Sequence, residues 1–291
     1  MKILLIGKTG QLGWELQRSC LTLGEVIPVD YPELDLSKLV SLRDLIQITK
    51  PDLIINAAAY TNVDKAETEP EIARCVNALA PEVMAEEMKK LGGSFIHYST
   101  DFVFDGTKGN PYIESDIPNP INKYGATKLE GEQLVQGVGG SFLIFRTSWV
   151  YSTRQGGFVT KVLQWARQQE TLKVVDDQIG SPTWARMLAE ATTQIIAQCR
   201  GDLMKYIGEN SGLYHLAGEG SVSRYEWAKT ILDFDPNKEE QMMKEIVPAK
   251  SSDFRTPAIR PANTGLDTAQ FTAMFGLTLK PWKFVLKMAM Q

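Results

Sequence analysis

Ile3-Leu4-Leu5-Ile6-Gly7-Lys8-Thr9-Gly10-Gln11-Leu12-Gly13 opens the chain with an apolar run that turns on glycines into the helical pattern Trp14-Glu15-Leu16-Gln17. A buried strand entering a helix in this way leaves free backbone N–H groups at the helix N-terminus. A pyrophosphate can sit there against the positive end of the helix dipole. In this reading Gly7 allows the tight turn, Gly10 the close approach of phosphate, and Gly13 the contact of helix with sheet. The spacing G-x-x-G-x-x-G is one residue longer than the G-x-G-x-x-G of many dehydrogenases. Such glycines also serve turns and packing alone, so the strand-to-helix setting is what favours a dinucleotide.

Outward from that start, short β-rich runs near 2–6, 25–29, 53–56, 94–99 and 142–147 alternate with longer helical patterns. The rhythm predicts βαβ units and an α/β fold of Rossmann type, a doubly wound parallel sheet. Asp52-Leu53-Ile54-Ile55-Asn56-Ala57-Ala58-Ala59 runs a buried strand into small residues, which suits a ligand at the strand's carboxyl end. After about residue 150 the pattern becomes mixed, with helices expected near 157–169, 184–198 and 224–232. Residues 1–150 are therefore expected to form the dinucleotide-binding domain. Residues 151–291 should mainly form a smaller, interwoven α/β substrate domain, with segments of about 171–220 returning to the first.

Composition narrows the function. The 291 residues are 43% hydrophobic and 23% charged, which fits a folded enzyme rather than a disordered chain. A formal net charge of -4 without any Lys/Arg-rich run argues against nucleic acid or an anionic membrane as partner. No apolar stretch has the roughly 18 residues of a membrane span, and the first apolar run is too short for a signal peptide, so a cytoplasmic protein is expected. Cys20, Cys75 and Cys199 are odd in number and far apart, which suits reduced thiols. His97 and His215 lie in apolar strand-like runs and read as structural residues rather than metal ligands.

Tyr124-Gly125-Ala126-Thr127-Lys128 puts a phenol and an ammonium on one helix face. A cation beside a tyrosine is expected to lower its pKa and fit it for proton exchange with a carbonyl or carbinol oxygen. The same spacing recurs at Tyr225 and Lys229, so context must choose between the pairs. Thr100 ends a predicted strand 24 residues before Tyr124 and can serve the same oxygen, whereas Tyr225 has no such neighbour and reads as packing.

Gly7 to Gly13, Thr100, Tyr124 and Lys128 together resemble the extended short-chain dehydrogenases/reductases. More narrowly, Tyr60-Thr61-Asn62-Val63-Asp64, Ser99-Thr100-Asp101-Phe102-Val103-Phe104, Arg146-Thr147-Ser148-Trp149, Gln178-Ile179-Gly180-Ser181-Pro182-Thr183 and Arg260-Pro261-Ala262-Asn263, in that order, resemble the dTDP-4-dehydrorhamnose reductases. The resemblance covers essentially the whole chain. It implies reduction of the 4-keto group of a dTDP-sugar, with Tyr124 as general acid, Lys128 on the nicotinamide ribose and Thr100 beside the reacting oxygen. It further implies Gly10, Gln11 and Leu12 at the pyrophosphate, Asp30 at the adenosine ribose, and Asp35 and Leu36 at the adenine. Ala59, Tyr60 and Thr61 would lie along the nicotinamide half, and Val63, Thr100, Asp101 and Trp149 would contact substrate. Arg260 would pair with the diphosphate, or else tie the C-terminal segment to the core.

Asp30 favours NADH by repelling a 2′-phosphate, while the resemblance implies NADPH and Lys8 or Lys38 could offset the carboxylate; use of both cofactors is expected. Some similar proteins join subunits through magnesium held by glutamates, one of them matching Glu15. Here the second position is Arg186, so no metal requirement and a monomer or weak homodimer are expected. Two other readings stay open: a different nucleotide-sugar enzyme of the same fold, and a non-catalytic subunit like the regulatory subunit of methionine adenosyltransferase. Phe102, where the dehydratases carry a glutamate, disfavours dehydration.

Overall fold

Alternation of side chains along two buried strands organises the molecule. The computed structural model describes residues 1–154, 156–199 and 201–291. The first apolar run is β1 (Lys2–Ile6), and the glycine turn leads into α1 (Gln11–Ser19). There follow β2 (Glu25–Val29), α2 (Leu39–Thr49), β3 (Leu53–Asn56), α3 (Val63–Thr68), α4 (Pro70–Arg74), α5 (Ala80–Leu91), β4 (Ser94–Thr100), α6 (Lys123–Val138) and β5 (Ser141–Thr147). The later chain supplies β6 (Val150–Tyr151), α7 (Phe158–Ala166), β7 (Thr171–Val175), β8 (Ile179–Gly180), β9 (Thr183–Trp184), α8 (Ala185–Gln198), α9 (Leu203–Glu209) and β10 (Gly212–His215). It ends with β11 (Val222–Ser223), α10 (Arg224–Asp233), β12 (Glu245–Ala249), α11 (Ala269–Phe275) and α12 (Trp282–Ala289). The five expected strands of the first half lie within a residue of their expected bounds. α7 stops at Ala166, short of the expected 169, because the backbone then turns toward β7, with Gln168 and Gln169 N–H groups closing on the Trp165 carbonyl.

Six strands form one parallel sheet in the order β10-β5-β4-β3-β1-β2. Ile3, Leu5, Leu53 and Ile55 face one side and pack against Leu188 and Ile195 of α8. Leu4, Ile6 and Ile54 face the other side and meet Ile46 of α2 and Met84 of α5. Both faces are thus covered, which accounts for the continuous apolar runs. β1 lies between β2 and β3, so the connections leave it in opposite directions and open a crevice at its carboxyl end. α8, α9 and β10 lie against this sheet: α8 packs on the side of α1, and β10 extends the sheet through Tyr214 opposite Phe145.

A separate apolar cluster forms around Trp227, with Val159, Val162, Leu172, Ile231 and Leu286. Around it β7 pairs with β12, β8 with β11 and β6 with β9. Among the described residues, no helix is long and apolar enough to cross a membrane.

Candidate active site

The crevice at the strand ends is a cleft of about 560 Å³. Its floor begins with Gly7, whose φ of +94° makes the turn out of β1. Gly13 lies behind the floor: a Cβ there would strike the Gly7 carbonyl oxygen, so helix and turn can only meet this closely through glycine. Gly10 caps α1 without a side chain, and Gly10, Gln11 and Leu12 line the cleft. The first turn of a helix has N–H groups without intrahelical partners, so this end of the cleft is built for an anion. Gln11 does more than line it, because its amide bonds the Val150 carbonyl at 3.2 Å and accepts from Ser152 N at 2.8 Å.

Asp30 closes the β2 side of the cleft, and its carboxylate accepts from Thr9 N at 2.9 Å and Thr9 Oγ1 at 2.6 Å. Lys8 turns to Glu33 at 2.6 Å, while Lys38 is largely exposed and reaches Asp35 only at 4.0 Å. Asp35 instead accepts from the Ser37 amide and hydroxyl, and Leu36 is buried in the core; neither lines the cleft. Ala59 and Thr61 do line it. Tyr60 between them sends its hydroxyl away to Glu69, and Val63 opens α3 outside the cleft.

Asn122 accepts from Gly125 N at 2.8 Å and so starts α6, placing Tyr124 in the first helical turn and Lys128 one turn on. Both enter the cleft together with Thr100 and Asp101 from the end of β4. The expected lowering of the tyrosine pKa is overturned: burial pushes the Tyr124 phenol up to about 12, against the pull of the Thr100 hydroxyl. Lys128 does not act on it, because its ammonium is held by the Tyr98 carbonyl at 2.6 Å and His97 Nε2 at 3.1 Å. A phenol that keeps its proton at neutral pH is a competent acid for reduction. Burial brings Lys128 down to about 8, with the Glu132 carboxylate acting in the opposite sense. Beneath it Glu132 takes Arg146 Nε at 2.9 Å and Nη2 at 2.6 Å in a fully buried pair.

Asp101 is buried under the hydroxyls of Thr100, Ser148 and Thr264. Desolvation raises its pKa, and these three hydroxyls oppose the rise. Trp149 forms the facing wall in a left-handed conformation, φ +43°, with its indole laid on Gly180 and stacked on Trp227 at 5.4 Å. Arg260 is not in the cleft. Its guanidinium forks onto Asp64, at 2.7 and 3.1 Å, and it also bonds the Ala258 carbonyl and the Thr256 hydroxyl. Tyr225 is remote as well, its hydroxyl reaching the Ile246 carbonyl and Lys229 pairing with Glu226. Arg186 bonds Glu190 at 2.8 Å, and its charge also acts on Glu15 across the α1 and α8 interface.

Residues 1–291 match the family described as RmlD substrate binding domain. A dTDP-4-dehydrorhamnose reductase of Burkholderia thailandensis is 42% identical over 288 residues, which is 98% of this chain and 96% of that protein. The chain belongs to the dTDP-4-dehydrorhamnose reductase family. Two solved structures of the family are similar throughout. The one from Clostridium acetobutylicum is 33% identical with a TM-score of 0.88, covering 99% of this chain and 98% of its own. The one from Bacillus anthracis, in complex with NADP, is 30% identical with a TM-score of 0.87, covering 98% and 97%.

Sequence reasoning missed several residues at this family's cleft: Thr9 beside Asp30, Tyr98 and His97 around Lys128, and the Glu132–Arg146 pair beneath. His97 stood out only as a buried histidine. Its use became visible once parallel pairing set Asn56 beside it, with Asn56 Nδ2 3.1 Å from Nδ1.

Proposed function

We propose that this chain reduces the 4-keto group of dTDP-4-dehydro-β-L-rhamnose to dTDP-β-L-rhamnose, using NADPH or NADH. The full-length 42% identity to a dTDP-4-dehydrorhamnose reductase carries the reading, and the half-buried Tyr124 with the buried Lys128 and Thr100 in one cleft supports it. Gly7, Gly10, Gln11 and Leu12 hold the pyrophosphate, Asp30 and Thr9 face the adenosine ribose, and Ala59 and Thr61 border the nicotinamide. A bound reduced nicotinamide supplies the hydride. Tyr124 gives its proton to the sugar O4, Thr100 orients that oxygen, and Lys128 donates to the nicotinamide ribose while held by Tyr98 and His97. Asp101 and Trp149 present an acceptor and an apolar face to the deoxysugar. The part of the chain around Trp227 serves as the substrate domain. The enzyme works in the cytoplasm as a monomer or weak homodimer without a metal.

The test is NADPH oxidation that depends on the dTDP-keto sugar. Tyr124→Phe is expected to lose at least ~100-fold in kcat while still binding NADPH, and Tyr225→Phe to stay near wild type. No sugar-dependent oxidation by the wild type, or equal losses in the two variants, overturns the reading.

A further inference from the structure

We propose that Arg224 is the anion-binding residue of the substrate site and takes the diphosphate of the nucleotide-activated sugar, an assignment that rests on the function proposed above. Arg224 opens α10, directly after the short pair of β8 and β11. Its guanidinium carbon lies 3.9 Å from the ring centre of Trp149, 4.9 Å from Phe158 and 5.7 Å from Trp227. The aromatic faces support the cation but supply no acceptor for its five in-plane N–H groups. Among the described residues its side chain has no hydrogen bond and no ion pair; only its backbone N–H is engaged, on the Gln178 carbonyl.

The guanidinium is half-buried against these rings, and its unpaired fork is free to meet an anion. Burial lowers its pKa to about 10, so the charge persists at neutral pH. The charges that act on it are Asp101 and Arg260. Asp101 lines the cleft and is engaged by three hydroxyls, and Arg260 is forked onto Asp64. Arg224 therefore stands over the substrate wall with its fork open, between the end that reads the sugar and a second cation that repels it. A diphosphate satisfies both conditions: it accepts two parallel N–H bonds from a planar fork, and it neutralises the crowding of two arginines. The diphosphate role expected for Arg260 passes to Arg224 on this geometry.

Direct titration with dTDP, thymidine and NADPH separates this role from structural support. Arg224→Met is expected to weaken dTDP about 30-fold, the scale of a lost charged hydrogen bond. Thymidine and NADPH should stay within about 2-fold of wild type. Arg224→Lys keeps the charge without the fork and should weaken dTDP by about 3- to 10-fold. Unchanged dTDP affinity in both variants, or thymidine weakened as much as dTDP, overturns the assignment. Should Arg224→Met fail to fold, Arg224→Lys decides by the same comparison. Wild-type protein that binds neither dTDP nor thymidine overturns the proposed function first, and the assignment with it.

Discussion

Replacing Glu132 with glutamine should strike stability and cofactor binding at once, in proportions the structure fixes. Glu132 is fully buried and receives Arg146 through two hydrogen bonds and Ser99 through a third. Glutamine keeps the shape, but it removes the negative charge and sets an NH₂ against one of the guanidinium N–H groups. A buried cation left without its partner costs about 3 to 5 kcal/mol. At roughly 2 °C per kcal/mol for a chain of this size, Tm should fall by about 6 to 10 °C.

The second effect travels one helical turn back along α6. The Glu132 charge raises the pKa of Lys128 against a burial that has lowered it to about 8, so its loss drives Lys128 lower still. A basic group whose folded pKa lies below its unfolded value of about 10.4 leaves the unfolded chain holding more protons between the two. Stability therefore rises with pH across that window, and the variant widens the window downward. With Lys128 on the cofactor ribose as proposed, the same shift would remove its ammonium from the ribose at lower pH. Thermal melts, together with NADPH affinity measured from pH 6 to 9, read both effects. A Tm within about 1 °C of wild type, or an alkaline limb of NADPH binding that does not move toward acid, refutes the reasoning.

The two nicotinamide cofactors should differ by no more than about thirty-fold in kcat/KM, because a surface carboxylate facing a 2′-phosphate costs only about 1 to 2 kcal/mol; a preference beyond a thousand-fold refutes the reading of Asp30. EDTA should leave activity and oligomeric state unchanged, given Arg186 beside Glu15; inactivation reversed by magnesium would contradict this. Burial holds His215 at about 3, against about 6.5 in an unfolded chain, so the unfolded state takes up the extra proton between those values. Stability should then be lost as pH falls from about 6.5 to 3, by roughly 3 to 5 kcal/mol from this residue. His215→Gln should flatten the fall of the urea midpoint between pH 7 and 5, and an unchanged slope would show that the acid sensitivity lies elsewhere.

What the sequence made legible was local. The turn from Ile6 through Gly13 declared itself because strand, glycines and helix are contiguous, and Tyr124 with Lys128 because one helical turn sets their spacing. The remainder depends on neighbours far along the chain. Arg260 finds Asp64 nearly two hundred residues earlier, and nothing near either residue announces the pairing. Tyr124 seemed bound to ionise more readily beside a lysine, yet the outcome is decided by how deeply the fold buries the phenol and by Tyr98 and His97 holding the ammonium. The resemblance implied Leu36 at the adenine, and its side chain lies in one apolar cluster with Ile46 and Met84, a grouping that no local pattern announced.

The Gln11 side chain donates to the Val150 carbonyl and accepts from the Ser152 N–H, tying the first turn of α1 to the segment that follows Trp149. A phosphate drawing on α1 would pull on the peptide next to the indole, and a sugar pressing on the indole would push back on the helix. In the function proposed above, cofactor and sugar would thus have a direct mechanical route by which each could register the other before any chemistry takes place.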